Sequence, residues 1–384
     1  MTGSSTATSP SGRRLGVAAA LVDGRLVPGD VRIDGDLIGA VGLPPVAGGG
    51  LAVPGLVDLQ VNGYAGVDLL TSPVEGWVTA AAAMARDGVT SYVANLITSP
   101  PALTTAALRT AGEMVREPSV GAHQRGPASR CLGAHLEGPF LSAARRGTHP
   151  LRWLREPDRV LVEALLAAGP VVGVTVAPEL PGAIGLITWL SSSGVLVSLG
   201  HSDATAEQAA AGFDSGARTV THVFNGMSGL TSRAPGLAGA ALTRDDVAVQ
   251  AILDGTHLSA ETVAVVVAAA RTRLVLVTDA LSAAGAPDGS YRLGELEISV
   301  AGGVARNADG GLAGSVVSLA GALRNAVAAG LTVEEAVAAA STQPAALVGR
   351  TDLGRLRPGD RADVTVLDDG LEVTACFVDG VPAR

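Results

Sequence analysis

Lysine is absent from this chain of 384 residues, and all 27 basic residues are arginine. Schiff-base aldolases and pyridoxal enzymes need a lysine amine, so both are excluded. A P-loop needs its lysine and is excluded as well, as is a metal centre bridged by a carbamylated lysine. The only two cysteines, Cys131 and Cys376, are far apart and form no metal-type pair. That predicts reduced thiols and a cytoplasmic protein. A net charge of −9 without a basic cluster argues against a nucleic-acid partner. No apolar run reaches the ~18 residues of a membrane span. Arg13-Arg14 before LGVAAALV resembles a twin-arginine export signal. Asp23 and Arg25 interrupt the apolar run and no cleavage site follows, so an edge strand is expected there.

The chain is 47% hydrophobic, and its 50 glycines and 21 prolines supply many turns. Its length suits one large barrel-type domain plus a smaller one. Residues 1–13 read as a disordered tail rich in Ser, Thr, Gly and Pro. Residues 14–53 read as short strands broken by DGR, GD and DGD turns. After Pro54-Gly55, apolar strands alternate with alanine-rich helical stretches. Strands are expected at 56–63, 91–98, 131–138, 171–178, 195–202, 219–225, 247–255 and 273–280. Helical stretches include 102–116, 156–168, 204–212 and 259–271. Such alternation predicts a parallel sheet covered on both faces, and eight units predict a TIM-like (β/α)8 barrel over 54–356. A doubly wound sheet would carry a Gly-rich phosphate turn after its first strand, and here that strand ends in QVNG. Residues 281–315 read as a glycine-rich excursion with short strands, followed by helices at 316–329 and 333–347. The chain then returns to a β pattern, so 14–53 and 357–384 are expected to form one small β-sandwich domain from both chain ends.

Catalytic residues of such barrels lie at the carboxyl ends of the strands. Those ends carry Gln60 and Asn62, His135 and Glu137, His201, His222, His257 and Asp279. His135 and Glu137 point the same way from their strand, and both are costly to bury unless they bind something. Glu137, His201 and His222 make the carboxylate-plus-two-imidazole set of a catalytic Zn²⁺ or similar ion. Asp279 is then a natural general base and acid, and His257 is free to polarise a carbonyl. His123 lies in a loop-like stretch and reads as solvated. His135 reads as a packing or supporting residue, and His149 fits either the site or its support. Trp77, Trp153 and Trp189 are scattered and read as packing.

The segments PGLVDLQVNG, HLEGPFLSAARRGTHP, LGHSDAT, THVFNGMSGLTSRAPG, DGTHL, LVTDA and GGLAGS resemble the N-acetylglucosamine-6-phosphate deacetylase family of the amidohydrolase superfamily. The resemblance runs from about residue 15 to the end. It implies that Glu137, His201 and His222 bind the metal, that Asp279 is the acid/base and that His257 orients the acetamido carbonyl. It further implies that Asn225, Gly226 and Arg233 contact the sugar phosphate, with Arg233 donated by the neighbouring subunit of a homodimer. Thr148 and the Leu312-Ala313 loop are implied to line the sugar site. The planar fork of arginine suits phosphate. Most members of the superfamily carry His-x-His where this chain has Gln60-Val61-Asn62, and amide side chains are poor transition-metal ligands. One divalent ion per subunit is therefore expected, Zn²⁺ first, with Fe²⁺ or another divalent ion as alternatives.

The expected reaction is hydrolysis of N-acetylglucosamine 6-phosphate to glucosamine 6-phosphate and acetate. One rival is the same chemistry on another N-acyl amine, such as N-acetylgalactosamine 6-phosphate or an N-acyl amino acid. Arg233 with Asn225 favours a phosphosugar over an amino acid. The other rival is a non-catalytic, amidohydrolase-like binding protein, which predicts lost ligands or a lost terminal Asp, and none is lost.

Overall fold

Eight apolar segments become eight parallel strands of one sheet, and the sheet curls until its ends meet. The computed structural model describes residues 12–46, 48–116 and 126–384. The strands are β1 (Leu56–Val61), β2 (Val89–Ile97), β3 (Arg130–Glu137), β4 (Val171–Val176), β5 (Leu196–Leu199), β6 (Thr219–Val220), β7 (Ala248–Ala251) and β8 (Leu274–Leu276). Each pairs with the next in chain order. Every residue of β1 and β2 is buried, as expected of strands covered on both faces. A parallel bridge from Val61 to Ala280 closes the ring, helped by the amides of Asn62 and Gly63, which donate to the Ala280 carbonyl at 2.7 and 3.1 Å. The expected (β/α)8 barrel is therefore the fold.

A helix follows each strand: Val74–Arg86, Pro101–Arg116, Arg159–Ala168, Ala183–Ser192, Ala206–Asp214, Gly236–Leu242, Ala260–Ala270 and Leu319–Ala328. Several start where a side chain satisfies a first-turn amide. Asp158, Thr205, Ser259 and Ser318 all do so, which is worth about 1 kcal/mol per cap. The second helix expected near the end is Val333–Val337 and Gln343–Leu347, joined by a π-turn at Ala338–Thr342. Pro344 supplies no amide there, which favours the wider turn.

Both chain ends meet in one six-stranded sheet. Leu51–Pro54 lies antiparallel to Val364–Leu367 and parallel to Ala19–Val22. A three-stranded sheet of Arg13–Arg14, Asp30–Asp34 and Leu37–Leu43 packs with it, around an apolar cluster that includes Val31, Ile33, Ile38, Ala52, Val364 and Phe377. Arg13 pairs with Ile33 and Arg14 with Arg32. The expected tail thus ends before Arg13, the Arg13-Arg14 pair is a strand as read, and residues 1–11 lie outside the described ones, as does His123. Arg130, at the start of β3, reaches Asp363 at 2.8 Å and Asp379 at 2.9 Å and ties the barrel to this sheet. The excursion after β8 is an antiparallel sheet of Gly289–Leu293, Leu296–Ala301 and Val304–Asn307. No helix among the described residues is long and apolar enough to cross a membrane.

The barrel interior below its mouth is polar. The His135 Nε2 pairs with the Thr175 hydroxyl at 2.7 Å, Thr175 with Thr221 at 2.9 Å, and Thr221 with Ser198. Burial pushes His135 down to about 4, so it is a neutral core residue, as read.

At the β1–β8 seam, Asp58 accepts from Thr278 Oγ1 at 2.6 Å and from the amides of Thr278 and Gln60 at 3.3 and 3.2 Å. Burial outweighs these bonds and pushes the carboxyl up to about 6. Because this value lies above the unfolded one of about 4, Asp58 favours folding most below pH ~4, and the contribution is lost as pH rises through about 6. Asp58→Asn removes that titration. Its stability relative to wild type should climb by up to about 3 kcal/mol between pH 4 and pH 7, measured by denaturant unfolding across that range. A difference that does not change with pH would contradict this role for Asp58.

Candidate active site

β5, β6, β7 and β8 all end at least three residues earlier than the apolar pattern predicts, and side chains beyond them carry chemistry. The backbone turns left-handed at His201 (φ 47°), His222 (φ 29°) and Asp279 (φ 49°). For residues with a Cβ this conformation costs of order 1–3 kcal/mol each and clusters at functional sites. It leaves β5, β6 and β8 short and swings all three side chains into one cavity at the carboxyl end of the barrel. Glu137 comes off the end of β3, level with Ile97 of β2 and Thr175 of β4.

Glu137 is 2% exposed. Its Oε1 lies 2.9 Å from His201 Nε2 and 2.9 Å from His222 Nε2. Its Oε2 accepts from Asn95 Nδ2 at 2.6 Å and from Gln60 Nε2 at 3.3 Å. Burial by itself would raise its pKa, but the two imidazoles outweigh burial and hold the carboxyl well below its usual range.

These contacts fit a cation. The His201 Nδ1–H donates to the Arg145 carbonyl at 2.9 Å, so in the neutral ring Nε2 carries a lone pair and faces a carboxylate oxygen that only accepts. Glu137, His201 and His222 each offer one ligand atom, all within 4.8 Å of one another, and form a cluster able to hold a metal ion. The fixed tautomer of His201 is the usual outer support of a metal-binding imidazole. The His222 Nδ1 is buried and has no partner among the described residues.

Asp279 lies across the cavity, with Oδ1 accepting from Asn62 Nδ2 at 2.7 Å. Burial, then the charge of Glu137, pushes its carboxyl well above the usual range. Two carboxyls in one cavity are thus driven apart, one kept ionised and one able to carry a proton. The His257 Nδ1 meets Asp254 Oδ2 at 2.7 Å, and Asp254 also accepts the amides of Thr256 and His257, each at 2.8 Å. This arrangement presents the other nitrogen of His257, whose ring lines the cavity.

Of the other expected residues, Thr148, Asn225, Gly226 and Leu312 line the same cavity. Ala313 is buried and its amide bonds to the Ala305 carbonyl, so it does not face the cavity. Arg233 is exposed on the loop before the helix Gly236–Leu242 and is not brought to the cavity of its own chain. His149, which the sequence leaves open, lines the cavity; its Nε2 is 3.9 Å from Glu137 Oε1, and burial pushes it down to about 3. Trp77 is buried and donates to the Leu69 carbonyl, consistent with packing. Asn95 and Asp254 were not singled out from the sequence. Asp254 stands three residues before His257 in a DGTH turn, a local signal, whereas Asn95 had only its place near a strand end.

The amidohydrolase family model matches residues 51–382. The chain is 39% identical over 334 residues to N-acetylgalactosamine-6-phosphate deacetylase of Escherichia coli O157:H7, covering 86% of this chain and 87% of that one. It is 35% identical to N-acetylglucosamine-6-phosphate deacetylase of Vibrio furnissii, covering 85% and 82%. A solved structure of N-acetyl-D-glucosamine-6-phosphate deacetylase from Mycobacterium smegmatis, in complex with N-acetyl-D-glucosamine 6-phosphate, superposes with a TM-score of 0.90 at 35% identity, covering 97% of this chain and 99% of that chain. Family match, barrel and the cluster of Glu137 with two histidines coincide over nearly the whole length, and the chain belongs to the amidohydrolase family.

Proposed function

We propose that this protein hydrolyses N-acetyl-D-glucosamine 6-phosphate to D-glucosamine 6-phosphate and acetate, as a cytoplasmic homodimer. The observation that carries the reading is the Glu137–His201–His222 cluster sharing one cavity with the carboxyl of Asp279, in a chain so similar to a deacetylase solved with that phosphosugar. The 39% identity to a galactosamine enzyme supports a second reading, the same reaction on N-acetylgalactosamine 6-phosphate. In this proposal the barrel is residues 54–356, and 14–53 with 357–384 form the small β domain, a division supported by the separate apolar cluster of the latter.

Glu137, His201 and His222 would hold one divalent ion, Zn²⁺ by the nature of the donors, with Fe²⁺ or another divalent ion as alternatives. When bound, such an ion makes water more acidic and an amide carbonyl more electrophilic. Asp279 takes the proton of the attacking water. Its Oδ1 is engaged by Asn62, so Oδ2 receives the proton and later gives it to the leaving amine nitrogen. His257, its ring aligned by Asp254, turns Nε2 to the acetamido carbonyl. Thr148, Asn225, Gly226 and Leu312, which line the cavity, receive the sugar phosphate, and Ala313 supports that loop through its bond to the Ala305 carbonyl. Arg233 reaches the phosphate in the partner's site, a role supported by its exposed position outside its own cavity.

The test is acetate release from N-acetylglucosamine and N-acetylgalactosamine, each with and without the 6-phosphate, with metal content measured on the same sample. One ion per chain and preference for a phosphorylated substrate are expected. Two tightly held ions per site would overturn the stoichiometry, and no release from any of the four would overturn the reaction.

Asp279→Asn should keep the ion and lower kcat by about a hundredfold or more, the scale of lost general acid–base catalysis. Near-normal turnover of the metal-replete variant would remove Asp279 from the mechanism.

Arg233→Ala should lower kcat/KM for the phosphosugar by about ten- to a hundredfold, the scale of a lost charge-assisted bond. The loss should be far smaller for the sugar without phosphate. Mixing Arg233→Ala with Asp279→Asn chains should restore activity, since one site of a mixed dimer then has both groups. Verified heterodimers without recovery would exclude action across the interface.

A further inference from the structure

Asn95 is 1% exposed near the carboxyl end of β2. Its Nδ2 has two hydrogens, one directed to Glu137 Oε2 at 2.6 Å and the other to Asn62 Oδ1 at 2.9 Å. Asn62 Nδ2 in turn donates to Asp279 Oδ1 at 2.7 Å. The chain of bonds thus starts on one carboxylate and ends on another. An ionised carboxylate only accepts, so both amides must point their nitrogens outward toward the carboxylates, and each amide's orientation supports the other's. This arrangement is kept at a cost, because Asn95 Oδ1 is buried without a partner among the described residues. Turning Asn95 over would satisfy nothing and would set oxygen against oxygen at Glu137. Gln60 Nε2 approaches the same Glu137 oxygen at 3.3 Å. Oε2 is therefore occupied by amide donors, and only Oε1 faces His201 and His222.

We propose that Asn95 is a positioning residue that restricts Glu137 to metal binding through Oε1 and, through Asn62, holds Asp279 by Oδ1 so that Oδ2 handles the proton. The inference rests on the reading of Glu137 as a ligand and Asp279 as the acid/base. Asn95 does not line the cavity, so it acts through the two residues it orients. One carboxamide with two hydrogens couples the metal ligand to the proton carrier, and a side chain with a single donor can serve one of them only.

Asn95→Leu removes both donors at similar volume, and Asn95→Thr leaves one. Three quantities are measured on each purified variant and on wild type: Zn²⁺ affinity by competition with a chromophoric chelator in the absence of substrate, kcat and KM, and the thermal midpoint of the metal-free chain. Asn95→Leu should bind Zn²⁺ about ten- to a hundredfold more weakly and lose kcat by a similar factor, the scale seen when an outer support of a ligand is removed. KM should stay within about twofold, since substrate contacts are intact. In Asn95→Thr the hydroxyl should serve the charged Glu137, so Zn²⁺ affinity should recover while kcat stays low. If Asn95→Leu fails to fold, the split between affinity and kcat in Asn95→Thr decides alone. Wild-type affinity and kcat in a folded Asn95→Leu would overturn the proposal. So would losses in both variants that simply follow the thermal midpoint of the metal-free chain, which would mark Asn95 as packing. A wild-type chain that binds Zn²⁺ but releases no acetate would overturn the deacetylase reading, and the Zn²⁺ comparison would still test Asn95.

Discussion

A carboxylate buried at the centre of the barrel mouth constrains everything around it. Out of water, Glu137 must have both oxygens satisfied, or it will neutralise or destabilise the fold. One oxygen is met by the edges of two imidazoles and the other by two carboxamides. The barrel places both kinds of group there because it brings the ends of β1, β2, β5 and β6 around the end of β3. Gln60 and Asn95 lie within strands β1 and β2. His201 and His222 come from segments where the strand has already given way to a left-handed turn.

Those turns explain why neighbouring positions must be small. Gly226 has φ 57°, and a Cβ there would stand 2.8 Å from His201 Nδ1, the atom that donates to the Arg145 carbonyl. A side chain at 226 would have to displace the ring that faces Glu137. Ser202 and Met227 form a short bridge that fixes the segments carrying His201 and Gly226 to each other. Glu179 secures the same segment, accepting from the Ser202 hydroxyl and the Asp203 amide, each at 2.7 Å. The strain at His201 is therefore held by hydrogen bonds from three different segments, which is how such a conformation persists.

The two carboxyls illustrate how one cavity keeps one carboxyl ionised while leaving the other able to take up and release a proton. Both are removed from water, which alone would raise both. Glu137 is adjacent to two imidazoles and falls; Asp279 has one amide donor and the field of Glu137 and rises. The polar layer beneath, with neutral His135 among hydroxyls, adds no charge that would blur the distinction.

The sequence by itself determined the eight strands, because a parallel sheet covered on both faces demands near-continuous apolar runs and these are local. It also determined that Glu137, His201, His222 and Asp279 stand at or just beyond strand ends, since a barrel's topology turns position along a strand into position in space, whereas His257 lies in the loop after β7. β5, β6, β7 and β8 are shorter than their apolar runs, and in β5, β6 and β8 apolar character continues through His201, His222 and Asp279 while the backbone turns away. Only the tertiary structure decided which atoms meet. Asn95 and Glu137 are 42 positions apart and Asn62 and Asp279 are 217 apart, and no local pattern records which hydrogen of an amide points at which carboxylate. The same holds for the backbone carbonyl of Arg145, which sets the tautomer of His201 and which any residue at that position could have supplied.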